Sequence, residues 1–114
     1  MERNEAIAAL AALAQDSRLD TYRLLVSAGP DGLPAGEVAA RLGLPPNTLS
    51  FHFDRLRQAG LVTVRREGRS MIYAARFDTM NALIGYLTEH CCGGRPELCA
   101  PAASPTRTFE KADR

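Results

Sequence analysis

The chain has 114 residues, of which 46% are hydrophobic and 24% are charged, and its formal net charge is +1. This length allows one domain of ordinary globular composition with a modest core. A run of 18 apolar residues is absent, which excludes a transmembrane helix and predicts no membrane partner. The leader Met1–Glu5 carries two acids and one base, so we interpret the apolar stretch from Ala6 to Ala14 as a helix, not as a signal peptide.

Charge is unevenly distributed along the chain. Residues 41–76 contain seven arginines and only two acids, a local balance of +5, which leaves −4 for the rest of the chain. Such a concentration of basic residues is typical of a surface that binds a polyanion. It argues against an interaction module that never contacts DNA.

Apolar spacing predicts two helices in the first third of the chain. Over residues 4–14, apolar side chains recur at the i, i+3, i+4, i+7 spacing of one helix face: Ile7, Leu10, Ala11 and Ala14. A second helix is predicted to begin at a capping box formed by Ser17 and Asp20 and to end at Gly29–Pro30. Its apolar stripe consists of Leu19, Tyr22, Leu25 and Val26.

Two short helices and a hairpin are predicted next. Residues 37–42 form a helix that Gly43 stops, and a further helix starts near Pro46. The segments 61–65 and 70–74 are rich in β-forming residues and flank a turn at Glu67–Gly68. This order predicts a mainly α fold with a small two-stranded β-hairpin, which is a winged helix-turn-helix. The DNA-binding segment of this fold is predicted to lie between about residues 33 and 75.

A fifth helix is predicted to begin at Asp78 and to stop at Gly93–Gly94. Its apolar face consists of Met80, Leu83, Ile84 and Leu87. Because so small a domain has few surfaces to cover this face, we expect burial in a homodimer, packing on the first helix, or both. The domain is predicted to span residues 1–99, and residues 100–114, rich in Ala, Pro, Ser and Thr, are predicted to be a disordered tail.

The helix that starts near Pro46 carries the predicted reading surface, because the second helix of such a motif enters the DNA major groove. Its core face is Leu49, Phe53 and Leu56, which leaves these residues facing outward: Asn47, Thr48, Ser50, Phe51, His52 and Arg55. Four of them have donors and acceptors of the kind that read base edges: Asn47, Ser50, His52 and Arg55. Thr48 and Arg57 are better placed for phosphates. The alternative for the polar residues is a solvated helix face, and Phe51 could instead pack under the hairpin.

Three arginines flank the predicted hairpin turn: Arg65, Arg66 and Arg69. We expect them to contact phosphates or the minor groove, with hairpin solubility as the alternative. Double-stranded operator DNA is therefore the predicted partner.

The residues also match a known family. Segments 36–44 and 48–62, with 16–19 and 66–73, closely resemble the core motif of the ArsR/SmtB metalloregulators, and the resemblance spans roughly residues 4–92. It implies a homodimer held by the first and last helices that represses an operator until a metal or metalloid binds, with Ser50 and His52 on the DNA. The predicted dimer interface is Ile7, Leu10, Ala14, Met80, Leu83, Ile84 and Leu87.

Three cysteines lie within nine residues: Cys91, Cys92 and Cys99. An odd number of cysteines in one short segment is a poor framework for a secreted disulfide fold and predicts a reducing, cytoplasmic location. Thiolates select soft metals, and trivalent arsenic, As(III), accepts three sulfur ligands in a pyramid, so we expect it as the effector. The alternative effectors are Sb(III) and methylated As(III), for which two thiols suffice. The pattern resembles that of arsenite-responsive ArsR repressors.

Other functions remain open. A redox switch would use the same thiols, and a zinc or cadmium sensor could use Asp78 and His90. The zinc pattern of the family is incomplete here, because residues 37–42 contain no cysteine and Met80 stands where a second histidine is expected. A thiol oxidoreductase lacks the Cys-x-x-Cys motif, so the chain is not predicted to be an enzyme.

Overall fold

Within residues 1–94, the part of the chain that the computed structural model describes, the fold consists of five α-helices and a small antiparallel sheet, which packs on α2, α3 and α4. The elements in chain order are α1 (Arg3–Leu13), α2 (Asp16–Ala28), β1 (Leu33–Pro34), α3 (Ala35–Leu42), α4 (Pro46–Gln58), β2 (Val62–Glu67), β3 (Ser70–Ala75) and α5 (Phe77–Leu87). This order confirms the predicted winged helix-turn-helix. None of these helices is long and apolar enough to cross a membrane. Cys99 and the predicted tail lie outside the described residues, as do the side chains of Cys91 and Cys92.

Local chemistry sets the ends of three helices. The α2 cap is Gln15, whose side chain accepts a hydrogen bond from the Arg18 N–H at 2.9 Å, so the predicted cap at Ser17 is wrong. Pro46 starts α4, as predicted, because the first turn of a helix needs no N–H from that residue. Gly43 ends α3 in the left-handed region, where glycine carries no steric penalty.

The sheet has the strand order β1-β3-β2. Strands β2 and β3 pair from Val62↔Ala75 to Glu67↔Ser70, which leaves Gly68 and Arg69 as the turn, one residue later than predicted. The two-stranded wing is confirmed, and the sheet has a third strand that was not predicted, because β1 pairs with β3. A two-residue strand that contains a proline shows no alternating pattern in the sequence, and proline is tolerated only at such an edge.

The core holds α4 against the sheet. Leu49, Phe53 and Leu56 are all at most 2% exposed, which confirms that they face inward. Phe53 stacks on Tyr73 of β3 with a distance of 3.7 Å between ring centroids. This contact fixes the middle of α4 relative to the hairpin.

Helix α1 is apolar on two faces. The face that packs on the core is made of alanines, Ala6, Ala9 and Ala12, whose small side chains allow close packing. The predicted apolar stripe lies on the other, outer face, where Ile7 and Leu10 are 49% and 43% exposed. Leu19 of α2 is likewise exposed, although it was predicted to lie on an apolar stripe.

Helix α5 ends earlier than predicted. It stops at Leu87, where the Thr88 hydroxyl donates to the Ile84 carbonyl at 2.7 Å, and a 3-10 turn covers Cys91–Gly94. Leu83 is buried within the subunit, so it packs on its own core. Ile84 and Leu87 remain more than half exposed.

Candidate nucleic-acid interface

The outer face of α4 carries a polar strip. Five of the residues predicted to contact DNA are exposed there: Asn47, Thr48, Ser50, Arg55 and Arg57. The strip begins at the helix N-terminus, whose dipole favours an anion such as a phosphate. Asn47 accepts a hydrogen bond from the Thr48 N–H at 3.0 Å through its side chain, and Arg57 lies 3.6 Å from the Asp54 carboxylate. Both contacts are exposed and are easily exchanged for contacts with DNA.

His52 does not belong to this strip. It is 6% exposed, and its Nδ1 lies 3.3 Å from Nη1 of Arg18, so the prediction that it faces outward is wrong. Residue 52 follows Leu49 by three positions and precedes Leu56 by four, which places it on the core face. Burial, and the positive charge of Arg18, lower the pKa of His52 and favour the neutral ring.

Phe51 is exposed on the α1 side of the helix. Its exposed fraction is 52%, and the Arg55 guanidinium carbon lies 5.0 Å from its ring centroid, a cation–π contact. The ring borders a groove of about 450 Å³ whose opposite wall is formed by alanines of α1: Ala8, Ala11 and Ala12. Phe51 therefore faces α1, and the alternative that it packs under the hairpin is wrong.

The hairpin arginines have different surroundings. Arg65 donates to Glu67 at 2.8 Å and to the backbone carbonyl of Asp31 at 3.0 Å, so it braces the hairpin against the segment before β1. Arg66 donates to the Gly68 carbonyl at 3.2 Å, and Arg69 is exposed in the turn itself. The candidates for DNA contact at the tip of the hairpin are therefore Arg66 and Arg69. The brace joins residues 34 apart, and no local pattern reveals it.

Arg18 was not among the predicted site residues, although it lies next to the recognition helix. Its Nε donates to the Ala12 carbonyl at 2.7 Å while Nη1 reaches His52, so one side chain joins α1, α2 and α4. The sequence shows only an arginine in the first turn of a helix. Its two partners become visible only in the fold.

Comparisons with known proteins match this geometry. A sequence profile described as a helix-turn-helix domain matches residues 13–65. The transcriptional activator HlyU of Vibrio cholerae is 33% identical over 94 residues, which cover 81% of this chain and 84% of HlyU. The chain belongs to the helix-turn-helix transcriptional regulators. A solved structure of HlyU has a TM-score of 0.63, with coverage of 81% of this chain and 99% of HlyU.

Two further structures share the fold of this regulator. An ArsR-like transcriptional regulator from Rhodococcus sp. RHA1 is 24% identical, covers 88% of this chain and 92% of its own, and has a TM-score of 0.69. A homodimeric winged helix-turn-helix DNA-binding domain from Mycobacterium bovis is also 24% identical, covers 81% and 85%, and has a TM-score of 0.62. The regulator therefore has an ArsR-like fold, in which α4 occupies the position of the recognition helix and β2–β3 that of the wing.

Asp78, one of the two alternative zinc ligands of the regulator, has other partners. Asp78 accepts hydrogen bonds from Arg76 at 3.0 Å and from the Thr79 N–H at 2.9 Å, and these bonds lower the pKa of its carboxyl. Among the described residues, no three side chains of His, Cys, Asp or Glu are grouped closely enough to hold a metal ion. The arsenic-site prediction falls on thiols outside the described side chains.

Proposed function

We propose that the regulator is a cytoplasmic, homodimeric repressor that leaves its operator when As(III) binds the thiolates of Cys91, Cys92 and Cys99. The observation that carries this proposal is the position of the three thiols directly after α5, a helix with an exposed apolar face. HlyU is named an activator. For this chain we propose repression, because its three-cysteine pattern resembles that of arsenite-responsive ArsR repressors.

The dimer is supported by apolar side chains on α1 and α5. These two helices contact each other, and together they expose Ile7, Leu10, Ile84 and Leu87, each by more than 40%. Apolar patches of this kind mark interaction surfaces in soluble proteins. The Mycobacterium bovis domain of the same fold is described as homodimeric. A twofold dimer would present two α4 helices about 34 Å apart, which matches successive turns of one DNA face.

The donor set suits trivalent arsenic. Arsenous acid and three thiols give three arsenic–sulfur bonds and release three waters, with no change in oxidation state. The backbone at Cys91–Gly94 is a 3-10 turn that lies beyond the end of α5. Adjacent residues of such a turn are about 120° apart, so capture of one arsenic by both cysteines requires local unwinding, which Gly93 and Gly94 permit. Antimonous acid would react in the same way, and a methylated arsenical would use two thiols.

Capture of arsenic is proposed to act through α5. Bonds to Cys91 and Cys99 restrain the segment that follows Leu87, and the exposed face of α5 lies within one turn of that end. A change there alters the dimer and with it the spacing of the two recognition helices. Emptying a nearly full operator requires the effector to favour the released form by about 5 kcal/mol.

Serine substitutions test this proposal. We expect arsenite to release the wild-type regulator from a fluorescent DNA duplex that the protein has itself selected from a random library. Cys91→Ser, Cys92→Ser and Cys99→Ser should each raise the arsenite concentration for half-release at least tenfold, since each removes one of three bonds. Cys99→Ser should retain the response to methylarsenite. Fluorescence anisotropy measures each titration.

His90→Ala is the matched control, since it changes a neighbouring residue that is no arsenic ligand in this proposal. It should respond to arsenite like the wild type. Unchanged release in all three serine variants would place the arsenic site elsewhere. Release by zinc that His90→Ala abolishes would identify a zinc sensor. Release by peroxide that a thiol reductant reverses, with no response to arsenite, would identify a redox switch.

A further inference from the structure

Arg18 connects three helices near the recognition helix. It lies in the first turn of α2, its Nε donates to the Ala12 carbonyl at 2.7 Å, and its Nη1 lies 3.3 Å from Nδ1 of His52. The side chain is partly buried between these partners. One guanidinium group therefore reaches α1 and α4 at the same time.

The contact with α1 satisfies an otherwise open acceptor. Ala12 lies in the last turn of α1, where backbone carbonyls have no partner further along the helix. A positive charge at this end also complements the helix dipole. These two effects favour a fixed position for the Arg18 side chain.

The contact with α4 defines the state of His52. Arginine only donates, so Nδ1 of His52 must accept, which places the ring proton on Nε2. A protonated ring has no acceptor and would face the Arg18 charge. Burial and that charge lower the pKa of His52, in agreement with a neutral ring.

We propose that Arg18 and His52 form a positioning pair that fixes the rotation of α4 about its axis and so determines which side chains of α4 face DNA. His52 lies between Phe51, which is 52% exposed, and Phe53, which is 2% exposed. A small rotation of the helix would therefore move Ser50 and Arg55 away from their present directions. In this proposal the pair acts through the orientation of α4 and not by contacting DNA itself. The inference rests on DNA binding by α4.

The two-sided contact requires the shape of arginine. The planar guanidinium presents Nε and Nη1 in fixed directions, whereas the lysine ammonium group is a single point of charge on a flexible stem. Lysine could reach Ala12 or His52, and it would not hold both. Arg18→Lys is therefore a conservative change that separates charge from geometry.

Two His52 variants test the pair by the position of their acceptor. Asparagine places its amide oxygen near the position of Nδ1, whereas glutamine places it near that of Nε2. We expect His52→Asn to bind the library-selected duplex within about threefold of the wild type. His52→Gln, Arg18→Gln and Arg18→Lys should each bind at least tenfold more weakly. The double variant Arg18→Gln with His52→Gln should be no weaker than either single variant, because they break one contact.

The loss should concern specific binding. Arg23→Gln is the matched control, because Arg23 is an exposed arginine of the same helix and its loss removes the same charge. We expect the Arg18 variants to lower the ratio of affinities for the selected duplex and a random duplex, and Arg23→Gln to leave this ratio unchanged. Equal effects of Arg18→Gln and Arg23→Gln on the ratio would overturn the proposal.

Nitrogen NMR of the His52 ring provides a readout that needs no DNA. In the wild type we expect an unprotonated Nδ1 and a protonated Nε2 at neutral pH, and a mixture of tautomers in Arg18→Gln. A ring protonated on Nδ1 in the wild type would overturn the pair even if every variant failed to fold. Failure of the wild type to bind any duplex would instead contradict the DNA-binding function, while the NMR result on the pair would stand.

Discussion

Replacing Ile84 with lysine is expected to convert the regulator from a dimer to a monomer and to weaken its binding to a selected duplex by about 100-fold or more. Ile84 is 53% exposed in the subunit, so the lysine is solvated in the monomer and the fold is retained. In the proposed dimer the same position is buried, where an unpaired charge is strongly unfavourable. The loss of affinity follows because each half-site must then be bound separately. Sedimentation equilibrium and anisotropy measure the two effects.

Leu19→Lys is the control for this experiment. Leu19 is 43% exposed on α2, outside the proposed interface, so a lysine there should leave both the dimer and its DNA affinity unchanged. If Ile84→Lys remains a dimer with wild-type affinity, the interface does not involve α5. Equal dissociation by both variants would show that the effect is not local to the α1–α5 face.

Gly32→Ala is expected to lower the free energy of unfolding by roughly 2–4 kcal/mol. Gly32 has a φ of +72°, and a Cβ built there would lie 2.3 Å from the Tyr73 carbonyl oxygen. That oxygen belongs to the backbone of β3, next to the Leu33↔Tyr73 pair, so relief of the clash requires β1 to separate from the sheet. The segment that contains Asp31 would move as well and release Arg65. Urea denaturation followed by circular dichroism measures the change.

Gly43→Ala distinguishes the clash from the backbone conformation. Gly43 has a φ of +66°, close to that of Gly32, and a Cβ there meets no atom within 4 Å. In this variant the free energy of unfolding should fall by only about 1 kcal/mol, the cost of an alanine in the left-handed region. If the two variants are equally stable, the approach of Tyr73 to Gly32 does not contribute to the stability of the fold.

Strong local patterns explain which elements the sequence could predict. Leu49, Phe53 and Leu56 repeat at helical spacing after Pro46, and the structure confirms both the start of α4 and its core face. The wing was visible because two β-rich segments flank a glycine. Each of these two signals is contained in a short stretch of sequence, where periodicity and turn chemistry determine the structure.

Contacts between distant residues explain what was missed. His52 is polar, and only the approach of Arg18, 34 residues earlier, makes its burial favourable. The brace from Arg65 to Asp31 spans the same separation. On α1 the sequence pattern showed the stripe of Ile7 and Leu10, and it did not show that alanines form the face that packs on the core. Local patterns contain no information about these partners.

The binding chemistry of the cysteines could be predicted from the sequence for a different reason. Three thiols within nine residues define a chemistry without any knowledge of the fold. Their effect on DNA binding depends on the dimer and on the end of α5. The sequence placed that end at Gly93–Gly94, whereas the helix stops at Leu87. The arsenic site therefore remains a proposal for the serine variants to test.

The salt dependence of DNA affinity tests most directly whether α4 and the wing bind DNA. For the selected duplex, the logarithm of the affinity should fall linearly with the logarithm of the salt concentration. The double variant Arg66→Gln with Arg69→Gln should reduce this slope by about 2, since each arginine neutralises one phosphate. Arg23→Gln should leave the slope unchanged. Affinity that does not depend on salt, or equal slopes for the wild type and the wing variant, would contradict DNA binding by this surface.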